Sequence, residues 1–245
     1  MQIYRADLHI HTLLSPCGSL DMDPDTIVQK AQQKGLDIIG ITDHNHTGHC
    51  RLVSEIASEK GIFVLCGAEV TTKEEAHCLA FFETFDALDD FQNLLNRSLI
   101  KVKNKTELFG HQVIIDRNEQ ILEEVKPLLI NATSLSVDAL TNEVYQRDGI
   151  FIPAHVNRSA YSLISQLGFI SPELEADALE LSKHIETKAF RKKNPLLDKF
   201  SIIRSSDAHF PEDIGSVHSK FTIEKPSFQE IKMALLNKNG RSVST

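Results

Sequence analysis

The sequence predicts an α/β protein whose strands form a parallel sheet, open or closed into a barrel. Three observations predict it. Short β-rich runs alternate with helical patterns over most of the chain, and such alternation implies crossover connections between parallel strands. Histidines and carboxylates recur at the ends of the strand runs, the face on which α/β sheets and barrels carry their chemistry. A length of 245 residues fits one α/β domain with a substantial core.

The first strand is IYRADLHIH, in which alternation sends His9 and His11 to one face and Leu8 and Ile10 to the other, a chelate geometry. A helix follows, marked by Asp23 as N-cap, Pro24 in the first turn and Gly35 at the end. Next come the strand LDIIGITDH, a helix around GHCRLVSEIASEK ending at Gly61, and the strands IFVLCGAEVT and HCLAFF. From Phe85 to Gln146 the rhythm breaks. Helices are predicted near 86–96, 118–128 and 135–146 around the polar stretch RSLIKVKNKTELFGHQVIID. This segment is too short and polar to bury a core of its own, so it reads as an insertion or cap (85–146) within a single domain spanning 1–245. The strands GIFIPAHV, ADALELS, FSIIRSSDAH and KFTIE then alternate with helices near 159–167, 185–193 and 227–237, and the tail NKNGRSVST is expected to fray.

Composition narrows the classes. With 41% hydrophobic and 24% charged residues the chain is globular. It has no apolar run of roughly 18 residues to span a bilayer and no basic-then-apolar leader, which implies a soluble, cytoplasmic protein without a membrane partner. A formal net charge of −8 argues against duplex nucleic acid as a partner, since such binding relies on lysine and arginine neutralising phosphates. A small anionic substrate in a locally positive pocket remains compatible with it. The four cysteines read as free thiols, and nothing in the sequence assigns an oligomeric state.

Strand ends carry His9 and His11, Asp43 and His44, Glu69, His155, and Asp207 with His209; His77 opens its strand instead. Each alone has a structural reading, because a lone histidine at a strand end is usually a satisfied packing residue. Recurrence at so many strand ends is hard to explain by packing. Imidazoles with a few carboxylates suit zinc, iron or manganese better than magnesium or calcium.

Taken in order, DLHIHT, ITDH, Glu69 after an apolar strand, His77, PAHVNR and SSDAH resemble the PHP family, named for polymerase and histidinol phosphatase. The resemblance spans residues 7 to 209 apart from the 85–146 segment. It implies a distorted barrel of seven strands, a (β/α)7 barrel, with a cluster of two or three divalent transition metal ions (Zn, Mn or Fe) at the C-terminal mouth. It implies that His9, His11, Glu69 and Asp207 hold the first ion, with Glu69 bridging to a second held also by His77 and His155. A third would take His44, His209 and a loop residue that relatives supply as His or Asp; the matching position here is Cys17, a competent ligand as the thiolate. Asp7 and Asp43 match positions that would orient ligand imidazoles through their free N–H groups.

Two such ions can hold a bridging water, lower its pKa and neutralise phosphate oxygens. The first reading is therefore hydrolysis of a small-molecule phosphate monoester, such as a nucleotide, sugar or amino-alcohol phosphate, by the bridging hydroxide. No G-x-S-x-G elbow or phosphate loop supports a serine hydrolase or nucleotide triphosphatase. Arg158, three residues past His155, is expected to grip the phosphate, while the direction of Arg204 in SIIRSS is left open. His46 reads as a leaving-group contact or the start of the next helix, and His49 as the helix start. His44 or His209 can protonate a leaving alcohol only if no third ion holds it. The insertion is the expected source of specificity, and His111 reads as an exposed loop residue. The alternatives are a phosphodiesterase or 3′–5′ exonuclease, an amidohydrolase acting on C–N bonds, and a non-catalytic metal-binding regulatory module. The absence of tryptophan and the three tyrosines weaken the exonuclease reading, and Lys101, Lys103 and Lys105 form the only compact basic run before residue 190.

Overall fold

The computed structural model describes residues 1–245. β1 (Gln2–Ile10), β2 (Ile38–Ile41) and β3 (Phe63–Thr71) pair in parallel through the crossover helices α1 (Pro24–Gln33) and α2 (Cys50–Ser58). The sequence signals for α1 are realised: the Asp23 side chain accepts from Thr26 N, Pro24 starts the helix, and Ile27, Val28 and Ala31 are buried.

β4 (His77–Phe82) returns antiparallel to β3, with Thr71 opposite His77. The connection is too short for the dozen or so residues of a parallel crossover. The sheet is therefore mixed, not parallel throughout.

Between β4 and β7 (Ile150–Pro153) lie α3 (Phe85–Ser98), α4 (Thr106–Phe109), β5 (Val113–Ile115), β6 (Ile121–Glu124) and α5 (Val137–Tyr145). The helix expected near 118–128 is instead a hairpin in which β6 pairs antiparallel with β5. Asp116 Oδ1 accepts from Asn118 N and Gln120 N, and Glu119 adopts φ +60°, so a tight turn forms where a helix would have begun. Val113 and Ile115 pack on Leu13, seating the hairpin on the loop after β1.

β7 runs antiparallel to β4. After α6 (Leu163–Leu167) come β8 (Leu179–Leu181), α7 (Thr187–Lys193) and β9 (Ile202–Arg204), with β8 and β9 parallel. Asp177 N donates to Phe151 O at 3.0 Å and Val156 N to Glu180 O at 2.9 Å, joining β7 to β8. His11 N donates to Ala208 O at 3.0 Å, joining the segment after β9 back to β1. The sheet thus curls into a distorted barrel. β10 (Ser219–Ile223) pairs antiparallel with the outer part of β1, α8 (Phe228–Leu235) follows, and β11 (Ser242–Ser244) extends the edge. The tail expected to fray is therefore a strand, tied by Arg241 to Glu224 and Glu230.

Two cores result. An outer cluster packs α1, α2, α3 and α5 against the sheet, with Ile27, Val53, Phe91 and Leu140 among its members. An inner cluster joins Leu8, Ile38, Leu65, Leu79, Ile152 and Ile203 to Phe228 and Ile231 of α8, which closes one end. No helix is long and apolar enough to cross a membrane.

Candidate metal centre

The histidine pair owes its placement to a bulge. Between Asp7 and Ile10, β1 advances one residue more than β2 does between Ile39 and Ile41. Leu8 consequently packs in the inner cluster and Ile10 in the outer one, so the two do not share a face as strict alternation predicts. His9 and His11 are both fully buried, their Nε2 atoms 3.1 Å apart. Gly40 makes room for this, since a Cβ there would lie 2.4 Å from Leu8 O.

The other groups arrive from neighbouring strand ends. A bridge pairs His44 with Glu69, and Asn45 N donates to Glu69 O at 2.9 Å. His77 reaches the same mouth although it opens its strand, because β4 runs opposite to β3. His155 and Asp207 sit at φ +29° and +54°. Such left-handed conformations are costly for residues other than glycine and cluster at functional sites.

Glu69 is the hub. Its Oε1 lies 3.0 Å from His77 Nδ1, 3.1 Å from His155 Nε2 and 3.3 Å from His9 Nε2; its Oε2 lies 3.1 Å from His44 Nδ1 and 3.4 Å from His11 Nε2. Asp207 Oδ1 is 3.5 Å from both His9 and His11. Donor atoms fall into three groups within 4.8 Å: His9, His11 and Glu69; His44, Glu69 and His77; and His11, His44 and His209. A tetrahedral ion with N and O ligands separates its donors by about 3.3 Å.

Hydrogen bonding explains why these donors suit a cation. His9 Nδ1 donates to Glu180 Oε2 at 2.9 Å. His11 Nδ1 donates to Ser15 Oγ at 3.0 Å, because the serine hydroxyl is itself given to Asp43 Oδ1. Both Nε2 atoms are then bare lone pairs facing each other, an arrangement that calls for a positive charge between them. The surrounding carboxylates impose the same demand, which without a metal is met by a proton on the imidazole. Burial opposes the charged form of His11, but Asp207 and Glu69 outweigh it and raise the imidazole to about 9. Burial likewise opposes ionisation of Glu69, yet His77, His9 and His44 hold its carboxyl well below the usual range. Burial holds His44 well below the ordinary histidine value and His209 down to about 4, leaving both in the neutral form that binds metal.

Other residues singled out in the sequence take varied places. Cys17 is exposed and its sulfur belongs to none of the three groups. Arg158 stands half-exposed at the rim, its Nη1 2.7 Å from Asp207 Oδ2. Arg204 turns away to Lys183 O and Glu186, and His111 is exposed against Glu124. Asp43 and Asp7 do not reach an imidazole directly. Asp43 acts through Ser15, whereas Asp7 accepts from Ser206 N at 2.9 Å and Gly215 N at 2.8 Å, bracing the loop that carries Asp207. His46 Nδ1 accepts from Gly48 N, and His49 starts α2 without capping it through its side chain.

Three contributors escaped the sequence reading. Glu180 is buried beneath His9, and its signal was a carboxylate in the middle of the apolar run ALEL. Ser15 had no distinguishing signal. Tyr161, at φ +55°, stacks on His77 with centroids 4.9 Å apart and remains 48% exposed.

The family model for the PHP domain matches residues 7–167. The chain belongs to the PHP family. Its buried histidine and glutamate cluster is suited to holding metal. A relative, an uncharacterized protein of Methanocaldococcus jannaschii, is 33% identical over 78 residues, covering 29% of this chain and 46% of the relative. Among solved structures, the lesion-specific endonuclease PfuEndoQ from Pyrococcus furiosus matches with TM-score 0.74 at 18% identity, over 99% of this chain and 58% of that one. Endonuclease Q in complex with a 27-mer duplex carrying an abasic lesion matches with TM-score 0.71 at 20% identity, over 98% and 58%. A Bifidobacterium adolescentis protein described as a metal-dependent phosphoesterase matches with TM-score 0.54 at 19% identity, over 83% and 87%. The chain therefore spans little more than half the length of the endonuclease Q chains.

These matches correct one expectation. Exclusion of duplex nucleic acid from the net charge of −8 does not stand, because a protein of similar fold, Endonuclease Q, takes a duplex substrate with the lesion at its active site. Net charge sums the whole surface, whereas a duplex meets the field at the mouth, where bound cations and rim residues set the sign.

Proposed function

We propose that this chain hydrolyses a phosphate ester of a nucleotide-bearing substrate. The observation that carries the reading is the Glu69 hub, a single buried carboxylate with five imidazoles within 3.0–3.4 Å. His9, His11, Glu69 and Asp207 would hold one ion, Glu69, His77 and His155 a second, and His44 with His209 a third, toward which the loop carrying the exposed Cys17 would have to move for its sulfur to join. Divalent ions held here supply Lewis acidity toward the phosphoryl oxygens and activate water near neutral pH.

The remaining work falls to the chain itself. Arg158, anchored on Asp207 by one nitrogen, has its other guanidinium donors free to bind a phosphate oxygen. Tyr161 offers an exposed ring face beside His77 on which a base can stack. The 85–146 segment, seated on the loop after β1, acts as a cap within the single domain and selects the organic part of the substrate. Mononucleotides and nucleic acids both fit this description. Nucleic acid is the reading favoured by the fold shared with Endonuclease Q over 98% of the chain.

The test is an assay of zinc- or manganese-loaded protein against nucleoside monophosphates, sugar phosphates and an oligonucleotide duplex with an abasic site. Turnover of any nucleotide ester supports the proposal, and the preferred member separates phosphatase from nuclease. Two or three ions bound per chain with no turnover on any of them overturns it.

A further inference from the structure

His49 is fully buried at the start of α2, yet its side chain makes no capping bond to the helix. Its two ring nitrogens instead link two parts of the molecule. Nε2 is 3.1 Å from the backbone N of Ile115 in β5, and Nδ1 is 2.7 Å from Thr12 Oγ1. A backbone N–H can only donate, so Nε2 carries no proton and Nδ1 must donate to the threonine.

The direction of every later bond follows. Thr12 Oγ1, accepting from His49, gives its own proton to Asp43 Oδ2 at 2.7 Å. Asp43 Oδ1 accepts from Ser15 Oγ at 2.7 Å, and Ser15 in turn accepts from His11 Nδ1 at 3.0 Å. The chain runs from the hairpin to His11 without a gap or an ambiguous proton. Leu13 with Val113 and Ile115, and Leu14 beside Ile114, pack alongside it.

We infer that His49 is a positioning residue through which the β5–β6 hairpin sets the orientation of His11, so that the cap and the metal centre respond to each other. The inference rests on His11 being a metal ligand. Coupling between two sites is reciprocal, which makes it measurable without turnover. Loading the centre with zinc should slow amide hydrogen exchange at Ile115, read by NMR on the intact chain, by at least about fivefold.

Two variants locate the path. His49→Gln keeps an acceptor near the Nε2 position for Ile115 N but cuts the link to Thr12, and Thr12→Val removes the hydroxyl with little change of shape. Each should still bind zinc but lose the zinc dependence of Ile115 exchange. If exchange at Ile115 in the wild-type protein ignores zinc, or if both folded variants keep the full zinc response, the inference is overturned. Failure of the metal reading is visible separately in the same titration, as absence of zinc uptake by the wild-type protein.

Discussion

Replacing Glu180 by glutamine tests the centre through a residue that contacts it only from behind. Glu180 Oε2 accepts from His9 Nδ1 at 2.9 Å and from His155 N at 3.0 Å, while Oε1 is buried without a partner. Glutamine keeps an oxygen for these two donors but removes the negative charge that makes His9 Nε2 a strong donor. Loss of a carboxylate behind a ligating imidazole costs about 10–100-fold in metal affinity, or about 1.4–2.7 kcal/mol. The amide nitrogen, placed where Oε1 had no partner, adds an unsatisfied donor worth roughly 1–3 kcal/mol of folding stability. The assay is competition with a chromophoric chelator for zinc at fixed pH, alongside urea unfolding of the metal-free protein. Zinc affinity within twofold of wild type in the folded E180Q protein would refute the argument that His9 is tuned from behind.

Gly40→Ala should displace the bulge at Leu8, costing about 1–3 kcal/mol by overpacking and lowering metal content; full metal occupancy at unchanged stability would show that the bulge does not depend on the glycine. In metal-free protein, burial holds His46 down to about 4, and its Nδ1 accepts from Gly48 N. The unfolded chain takes up that proton first, so the stabilisation is present above pH 6.5 and is lost as pH falls toward 4, by at most about 3 kcal/mol. His46→Gln should lessen the fall of the urea midpoint across that window, leaving the part due to His44 and His209. Arg158→Ala should raise KM for a phosphate ester by roughly tenfold to a hundredfold, the worth of a charged hydrogen bond. Its effect on thermal stability should stay within about 1 kcal/mol, since the ion pair with Asp207 is half-exposed; an unchanged KM removes Arg158 from the site.

Periodicity and caps carried most of the fold. Asp23, Pro24 and Gly35 bracket α1 because capping is a local matter, readable from a few adjacent residues. The direction of β4 was not readable in the same way: it depends on the length of the turn before it, and HCLAFF looks alike in either orientation. The residues of the centre were legible because histidine at a strand end is chemically conspicuous. Their supports were not, because Ser15, Thr12 and Glu180 matter only through partners distant in sequence, such as the 171 positions that separate His9 from Glu180. The hairpin at β6 was misread because a short apolar run has no period of its own, and Asp116 decides its start through side-chain bonds to backbone.

The seam where Ala208 meets β1 also has a kinetic meaning. Nearby, Ser206 N and Asp7 Oδ1 join across 199 residues, and closing so long a loop is among the slowest contacts a chain of this size can make. Five of the donors, His9, His11, His44, Glu69 and His77, lie on or beside the first four strands, whereas Asp207 and His209 follow β9 at the last turn of the ring. An ion gripped on both sides of the seam acts as a clasp: at 100 times its dissociation constant it adds about 2.7 kcal/mol to the closed state. Metal capture at the site that Asp207 would share with His9 and His11 would therefore favour the fully folded chain, since one that has not closed its ring lacks Asp207 to complete that site.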